Sequence, residues 1–233
     1  MILYVNGDSH TAAAEAVNNH SFAEDDSKYW YLERRPHPDN LAVSWGKLLS
    51  ERLKSSFICD AESASSNDRI IRTTKNWIQS NEKELYRTVM VIQWSTWERE
   101  EWQIDGKYYQ VNASGIDIVP ESHQQQYKEY VANIDWNKKT EQAHLTIWNF
   151  HLYLQTLGVK HVFFNGNNSF ENITNPQDWG TGYIEPYDPN STYDAVLKAK
   201  HDTVSPASYH YGAQAHRQWA NYILHYLLDN QLV

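Results

Sequence analysis

Ser9 and His210 are the two side chains of this sequence whose types and positions suit nucleophilic chemistry. Ser9 lies in the turn Gly-Asp-Ser-His-Thr, residues 7–11, directly after an apolar run. His210 opens the segment HYGAQAHRQWA near the other end of the chain. A histidine that accepts the proton of a serine hydroxyl makes that hydroxyl a nucleophile toward acyl groups. The pair therefore predicts acyl-ester hydrolysis, provided that the fold brings the two ends of the chain together.

Strand-like runs alternate with helical segments along the chain. The runs are Ile2–Asn6, Phe57–Ala61, Thr88–Trp94 and Lys160–Asn165, and helical patterns fall at about 41–53, 70–78, 123–157 and 212–229. Alternation of this kind predicts βαβ crossovers and a mostly parallel sheet covered on both faces. Ligands of such sheets bind at the carboxyl ends of the strands, where Ser9 would lie.

The segments between these elements carry further expectations. Thr11–Val17 is rich in alanine and is predicted to begin a helix, whose N-terminal field would favour negative charge at Ser9. Residues 18–40 are predicted to form a surface loop, and residues 95–122 and 166–211 to be largely irregular. No repeat or low-complexity linker divides the chain, so we expect one domain over residues 1–233.

Charge and cysteine content exclude several functional classes. Twenty basic and 29 acidic side chains give a net charge of −9, which disfavours nucleic acid and anionic membranes as partners. A single cysteine, Cys59, excludes an internal disulfide and multi-cysteine metal sites, and we expect no cofactor. The start of the chain lacks the features of a signal peptide, so we expect a cytoplasmic or virion-associated protein.

Three segments together resemble the SGNH/GDSL hydrolase family: NGDSHT at 6–11, SASSNDRI at 63–70 and the stretch from His210 to Ala220. The resemblance implies a three-layer α/β/α sandwich of the flavodoxin-like type. It also implies that Ser9 is the nucleophile and His210 the general base of an esterase.

The family's oxyanion donors fall on several positions of this sequence. Its glycine, which donates a backbone N–H, corresponds to Ala64 or Ser65. The asparagine expected after the third strand has no counterpart, and Ser95 is the nearest polar residue there. Asn67 and Asn167, in neighbouring turns, are the alternative donors.

Two charged residues near these donors are candidates for substrate binding. Asp8 precedes the serine, and Arg99 follows the third strand, where a guanidinium suits a carboxylate or another polar group. The alternative for Arg99 is a surface ion pair with Glu98, Glu100 or Glu101.

The residue that orients His210 is less directly indicated. The family places an aspartate three residues before the histidine, a position that Ala207 occupies here. Asp202, eight residues before His210, is the predicted substitute, with Asp194, Asp188 or a backbone carbonyl as alternatives. Glu15 is expected to be a surface charge.

Aromatic side chains are frequent in the irregular segments beside the predicted site. Exposed rings in loops suit saccharides, which favours a carbohydrate O-acetyl esterase, whereas simple loop packing is the alternative. The rings in question are Trp97, Trp102, Tyr108, Tyr109, Trp179, Tyr183 and Tyr187, while Trp94 and Trp148 are expected in the core.

Two other functional classes remain open. An inactive module of the same fold would bind a ligand such as a glycan without turnover, and the style of the sequence resembles phage open reading frames. A metal hydrolase is disfavoured by histidine spacing. His216 does not share a helical face with His210 and is expected to bond nearby backbone, and His144 and His151 are expected to be solvated or capping.

Overall fold

Parallel strands form the centre of the structure, a computed structural model that describes residues 1–22, 35–113, 115 and 118–233. The strands are β1 Ile2–Asn6, β2 Ser56–Cys59, β3 Thr88–Trp94, β4 Glu100–Ile104, β5 Lys107–Val111 and β6 Lys160–Asn165. Four of them pair in parallel in the order β2-β1-β3-β6, and β4 pairs antiparallel with β5.

Helices connect the strands and cover the sheet. They are α1 Pro38–Ala42, α2 Trp45–Arg52, α3 Asn67–Ser80, α4 Gln124–Ala132, α5 Trp136–Thr156, α6 Tyr193–Lys198 and α7 Ala213–Asp229. Short 3₁₀ turns occur at Glu82–Arg87, Glu121–His123, Gly180–Gly182 and Pro189–Ser191. Among the described residues, no helix combines the length and apolar character needed to cross a membrane.

Each strand of the parallel sheet contributes side chains to two cores. Leu3 and Val5 pack with α2 and α7 on one face, whereas Tyr4 packs with α3 and α5 on the other. Successive side chains of a strand point to opposite faces, so a sheet buried on both faces requires the continuous apolar runs seen in the sequence. The predicted α/β fold with a mostly parallel sheet between helical layers is confirmed.

The strand order creates a crevice between the carboxyl ends of β1 and β3. The chain passes from β1 outward to β2 and then crosses to β3 on the other side of β1, which makes this gap the topological switch point where ligands bind in such folds. The backbone of Gly7 and of Gly166 lies close to neighbouring side chains at this gap. A Cβ on Gly7 would lie 2.5 Å from Thr11 Oγ1, and a Cβ on Gly166 would lie 2.5 Å from Gln93 Nε2. Ser9 therefore lies where the topology places a ligand.

Several predicted segments differ from the structure. Residues 100–111 form the β4–β5 hairpin rather than an irregular segment, because Asp105 and Gly106, with φ of 50° and 76°, make a two-residue turn. The predicted helix over 123–157 is two helices, α4 and α5, interrupted at 133–135. Of the predicted surface loop at 18–40, residues 23–34 lie outside the described part, and α1 begins at Pro38.

His144 and His151 of α5 are buried, so the expectation that they are solvated or capping is wrong. His151 Nδ1 lies 2.8 Å from His161 Nε2, and His161 Nδ1 lies 2.8 Å from the Val159 carbonyl oxygen. Because a carbonyl only accepts, His161 donates from Nδ1 and accepts at Nε2 from His151. Burial, with the neighbouring His161, lowers the pKa of His151 to about 4.

We expect the free energy of unfolding to fall between pH 7 and pH 5. An unfolded histidine binds a proton below about pH 6.5, whereas folded His151 stays neutral until about pH 4, so acid favours the unfolded chain. For His151 alone the loss is about 2 kcal/mol at pH 5. Urea unfolding at pH 7 and pH 5 should show that the free energy of unfolding falls less in His151→Gln than in the wild type. The glutamine amide can still donate to His161 but does not titrate. An equal loss in the variant would assign the pH dependence to other groups.

Candidate active site

Ser9 lies in a tight turn that follows β1 at the carboxyl edge of the sheet. The residue is 9% exposed, and its hydroxyl has no hydrogen-bond partner among the described residues. Within the turn, the Ala12 N–H donates to Asp8 O at 2.9 Å and the Ala14 N–H donates to Ser9 O at 2.9 Å. The turn thus fixes the backbone of Ser9 and leaves its hydroxyl free.

The helix predicted over Thr11–Val17 is absent, because the chain continues in turns. Ala13 and Glu15 have φ of 55° and 62°, in the left-handed region that a right-handed helix does not contain. The predicted field of a helix N-terminus therefore does not act on Ser9. The left-handed residues bend the chain back and bring Glu15 to the loop that carries His210.

His210 is held by a carboxylate from this same turn. Its Nδ1 lies 2.8 Å from Glu15 Oε2. Ser208 Oγ donates to the same oxygen at 2.5 Å and accepts from the His210 N–H at 3.0 Å. Partial burial raises the pKa of Glu15, but the hydrogen bonds from Ser208 and His210 lower it below its ordinary value overall. An ionised Glu15 accepts the Nδ1–H, which leaves Nε2 of neutral His210 with a lone pair.

The carboxylate that lies at His210 Nδ1 is Glu15 and not Asp202, which the sequence suggested. Asp202 is exposed and has no hydrogen bond to His210 among the described residues. The alternatives are engaged elsewhere: Asp194 accepts from Tyr211 Oη at 2.7 Å, and Asp188 accepts from Ser191 Oγ at 2.7 Å. Glu15 was expected on the surface; instead it contacts a residue 195 positions away.

Asp8 forms a buried ionic cluster beneath the turn rather than facing a ligand. Its Oδ1 accepts from Gln93 Nε2 at 2.7 Å, and its Oδ2 accepts from Ser95 Oγ at 2.8 Å and lies 3.3 Å from Arg99 Nη1. Burial raises the pKa of Asp8, but the Arg99 guanidinium and the hydrogen bonds that Asp8 accepts from Gln93 and from the His10 N–H lower it overall. Arg99 forms this internal ion pair with Asp8, and not the surface ion pair that was the alternative to substrate binding.

The turn after β2 supplies a backbone donor beside the serine turn. The Glu62 N–H donates to Gly7 O at 3.3 Å, which ties the two turns together. Ala64 has φ of 68°, a conformation that favours glycine. The Ser65 N–H donates to Glu62 O at 3.1 Å, whereas the Ala64 N–H has no acceptor among the described residues.

Ser95 and Asn67 are bound to each other and not aimed at a ligand. The Ser95 N–H donates to Asn67 Oδ1 at 2.8 Å, and Asn67 Nδ2 lies 3.4 Å from Ser95 O. The Ser95 hydroxyl donates its single hydrogen to Asp8. As an oxyanion donor, Ser95 is therefore excluded by this geometry, and Asn67 is partly occupied.

Asn167, in the loop after β6, reaches the serine turn through His10. His10 Nε2 lies 3.1 Å from Asn167 Oδ1, and because an amide oxygen accepts, Nε2 carries the hydrogen. The His10 ring lies 5.8 Å from the His210 ring and 5.0 Å from Tyr193 between centroids. Burial lowers the pKa of His10, which keeps the ring neutral. The Asn167 amide nitrogen has no acceptor among the described residues.

The aromatic rings of the irregular segments pack inside the protein, so the predicted exposed platform is wrong. Trp97, Trp179 and Tyr183 are each 5% exposed or less, and Trp97 stacks on Phe170 at 4.6 Å. Tyr109 is buried, and the partly buried rings are Trp102, Tyr108 and Tyr187. Trp94 is buried in the core as predicted, and the partly buried Trp148 packs against the same core.

His216 has the structural role expected of it. Its Nδ1 accepts from the Trp45 N–H at 3.3 Å, which joins the start of α7 to the start of α2. Burial, with the nearby His10 and His210, lowers the pKa of His216 to about 3. The side chain is therefore neutral and serves packing.

Two residues that contact the candidate site, Glu15 and His10, were not predicted from the sequence. A signal existed for Glu15, because it is the one charged side chain inside the alanine-rich stretch 12–16, three members of which are fully buried. The position of His10 varies in the resembled family, so its type offered no signal.

Comparison with known proteins gives one family match. A model described as a family of unknown function (DUF6071) matches residues 34–196, which is more than half of the chain. No curated protein matches the sequence.

Several solved structures are similar. A G-D-S-L family lipolytic protein from Desulfitobacterium hafniense DCB-2 is 13% identical, with 97% of this chain and 100% of that chain covered and a TM-score of 0.37. Pseudoalteromonas esterase EstA is 12% identical, with 99% and 96% covered and a TM-score of 0.42. The Butyrivibrio proteoclasticus acetyl xylan esterase Est2A is 11% identical, with 98% and 64% covered and a TM-score of 0.45. Similarity at this level assigns no activity to this chain.

Proposed function

The chain belongs to DUF6071, a family of unknown function, and we propose that it is a serine hydrolase that cleaves acyl esters. One observation carries the proposal: the His210–Glu15 pair lies against the residue that follows Ser9, at the switch point of a parallel sheet. A carboxylate on Nδ1 sets the tautomer in which Nε2 is a base, and it stabilises the imidazolium that forms when the serine proton is taken.

The proposed reaction begins with acylation of Ser9. Ser9 Oγ attacks the ester carbonyl carbon while its proton passes to His210 Nε2, and a tetrahedral oxyanion forms. The bond from that carbon to the alcohol oxygen then breaks, and the alcohol leaves with the proton held by His210. Water repeats the sequence on the acyl-enzyme, so that the carboxylic acid leaves and Ser9 and neutral His210 are restored.

Three groups are available to stabilise the oxyanion. The Ser9 and Ala64 N–H groups have no acceptors among the described residues and belong to two turns joined at Gly7. The third is the Asn167 amide, which takes the place of the missing asparagine after β3. The hydrogen bond from His10 Nε2 to Asn167 Oδ1 fixes the amide group of Asn167, so that the amide nitrogen is oriented as a donor.

Removing the Asn167 amide is expected to lower kcat for 4-nitrophenyl acetate by about 100–1,000-fold, the usual effect of losing one oxyanion donor. The comparison is Asn167→Ala with Asn67→Ala, each checked for an unchanged melting temperature. We expect the larger loss of kcat in Asn167→Ala. A loss of kcat in Asn67→Ala alone would mean that the oxyanion donor is Asn67, at the start of α3.

The experiment that tests the proposed function is hydrolysis of 4-nitrophenyl acetate by the wild type and by His210→Ala. We expect turnover by the wild type and a loss of about 1,000-fold or more in the variant, because the proposed mechanism passes the serine proton to His210. His225→Ala, an exposed histidine on α7, is the matched control and should retain full activity. Equal rates in both variants would contradict a role for His210.

A binding module without turnover is the second candidate. The observation that favours it is that Ser9 Oγ and His210 are not hydrogen-bonded to each other within the described residues. Such bonds are often long without substrate and tighten when it binds, so the serine hydrolase remains the first candidate. A folded protein that turns over no ester but whose melting temperature rises with a ligand would support the second.

A further inference from the structure

A polar groove opens beside the proposed active site. Its walls are the start of α5 and the loop that follows β6, and its volume is about 620 Å³, within the range of small-ligand sites. Asn167 lines the groove and also bonds to His10, the neighbour of Ser9. The groove therefore extends to a side chain that contacts the serine turn.

The groove is held open by hydrogen bonds within its own walls. Glu141, on α5, accepts from Thr174 Oγ1 at 2.9 Å and from the Thr174 N–H at 3.2 Å. These bonds fasten the loop after β6 to the helix, so the two walls keep their spacing without a ligand. A preorganised groove loses less conformational entropy when it binds.

The chemistry of the lining selects a neutral polyhydroxylated ligand. Amide and hydroxyl side chains dominate it, and the described lining contains two carboxylates, Glu141 and Glu171, and no lysine, arginine or histidine. Amides and carboxylates suit the hydroxyl groups of a sugar, whereas an anionic ligand is repelled. The amide and hydroxyl residues are Asn137, Thr140, Asn167, Asn168, Ser169, Asn172 and Thr174.

Trp136 adds an exposed aromatic face to this polar lining. It is the first residue of α5 and is 50% exposed, in contrast to the buried Trp97 and Trp179. A large exposed indole has a flat apolar surface that is costly to leave in water and that suits the apolar face of a sugar ring. A ring on the groove wall with hydroxyl-binding groups around it is a combination that small apolar esters do not require.

We propose that this groove binds the saccharide part of a neutral O-acylated saccharide, with Trp136 as its stacking platform and the acyl ester at Ser9. The inference rests on the proposed serine hydrolase function, since that function supplies the ester-cleaving end of the site.

The test compares two substrates, 4-nitrophenyl acetate and chemically acetylated cellotriose. Trp136→Ala is expected to lower kcat/KM for the acetylated cellotriose by roughly 10-fold and to change that for 4-nitrophenyl acetate by less than 2-fold. Tyr86→Ala removes an exposed ring that does not line the groove and is the matched control, expected to change neither value. Trp136 is exposed, so the variant should fold, which circular dichroism checks.

The outcomes separate the groove from the chemistry. Turnover of both substrates with an equal effect of Trp136→Ala on each would overturn the groove proposal and leave the serine hydrolase intact. If neither substrate is turned over, the proposed function fails. Calorimetric titration of unmodified cellotriose then tests, independently of catalysis, whether the groove binds a saccharide. Binding that Trp136→Ala weakens supports the groove, and no binding to the wild type overturns it.

Discussion

Ser9→Ala is expected to lower kcat for 4-nitrophenyl acetate by about 10,000-fold or more. The alanine removes the only atom that the account assigns to attack on the carbonyl carbon, and losing the nucleophile of a serine hydrolase has effects of this size. Ser80→Ala, an exposed serine at the end of α3, is the matched control and should retain the wild-type rate.

The measurement is steady-state ester hydrolysis with purified variants of equal melting temperature. Ser9 is nearly buried, but replacing a hydroxyl that has no partner among the described residues leaves no hydrogen bond broken, so folding should be retained. Wild-type turnover in Ser9→Ala would mean that any esterase activity of this protein arises from another nucleophile.

Glu15→Gln is expected to lower kcat by about 100–10,000-fold, whereas Asp202→Asn should leave it unchanged. The amide keeps the size of the side chain but removes the charge that stabilises the imidazolium, and it can present an N–H where Nδ1 needs an acceptor. The two variants are matched in chemistry, since each converts one carboxylate into an amide. They differ in position, because only Glu15 lies 2.8 Å from His210 Nδ1.

This pair of variants decides between the structure and the sequence-based assignment. KM for a small ester should change little in Glu15→Gln, because Glu15 acts on the base and not on the substrate. A loss in Asp202→Asn with none in Glu15→Gln would mean that the His210 loop adopts another arrangement during turnover, with Asp202 as the orienting residue.

Much of the fold was predictable because the sheet is buried on both faces. Continuous apolar runs such as Thr88–Trp94 have few alternatives to a central strand, and helical spacing located α3 and α7 closely. The β4–β5 hairpin was missed although its Asp-Gly turn is visible at 105–106, because its many aromatic residues suggested an irregular segment.

Part of the candidate site could be proposed from the sequence, and the roles of its residues stay predictions. Ser9 and His210 stand in local motifs, so their types and neighbours were enough to select them. The contact of Glu15 with His210 requires left-handed backbone at Ala13 and Glu15, two non-glycine residues for which the sequence predicts a helix. The exposure of loop rings was not predictable either, since Trp97 is covered by Phe170 from a distant loop.

The most direct test of the account is labelling with a fluorophosphonate probe, followed by mass mapping of the adduct in the wild type, His210→Ala and Glu15→Gln. The account predicts an adduct on Ser9 in the wild type that is absent in His210→Ala and slowed in Glu15→Gln, because the probe reacts with an activated serine. A folded wild-type protein that forms no adduct on Ser9, or one whose labelling does not depend on His210, would contradict it.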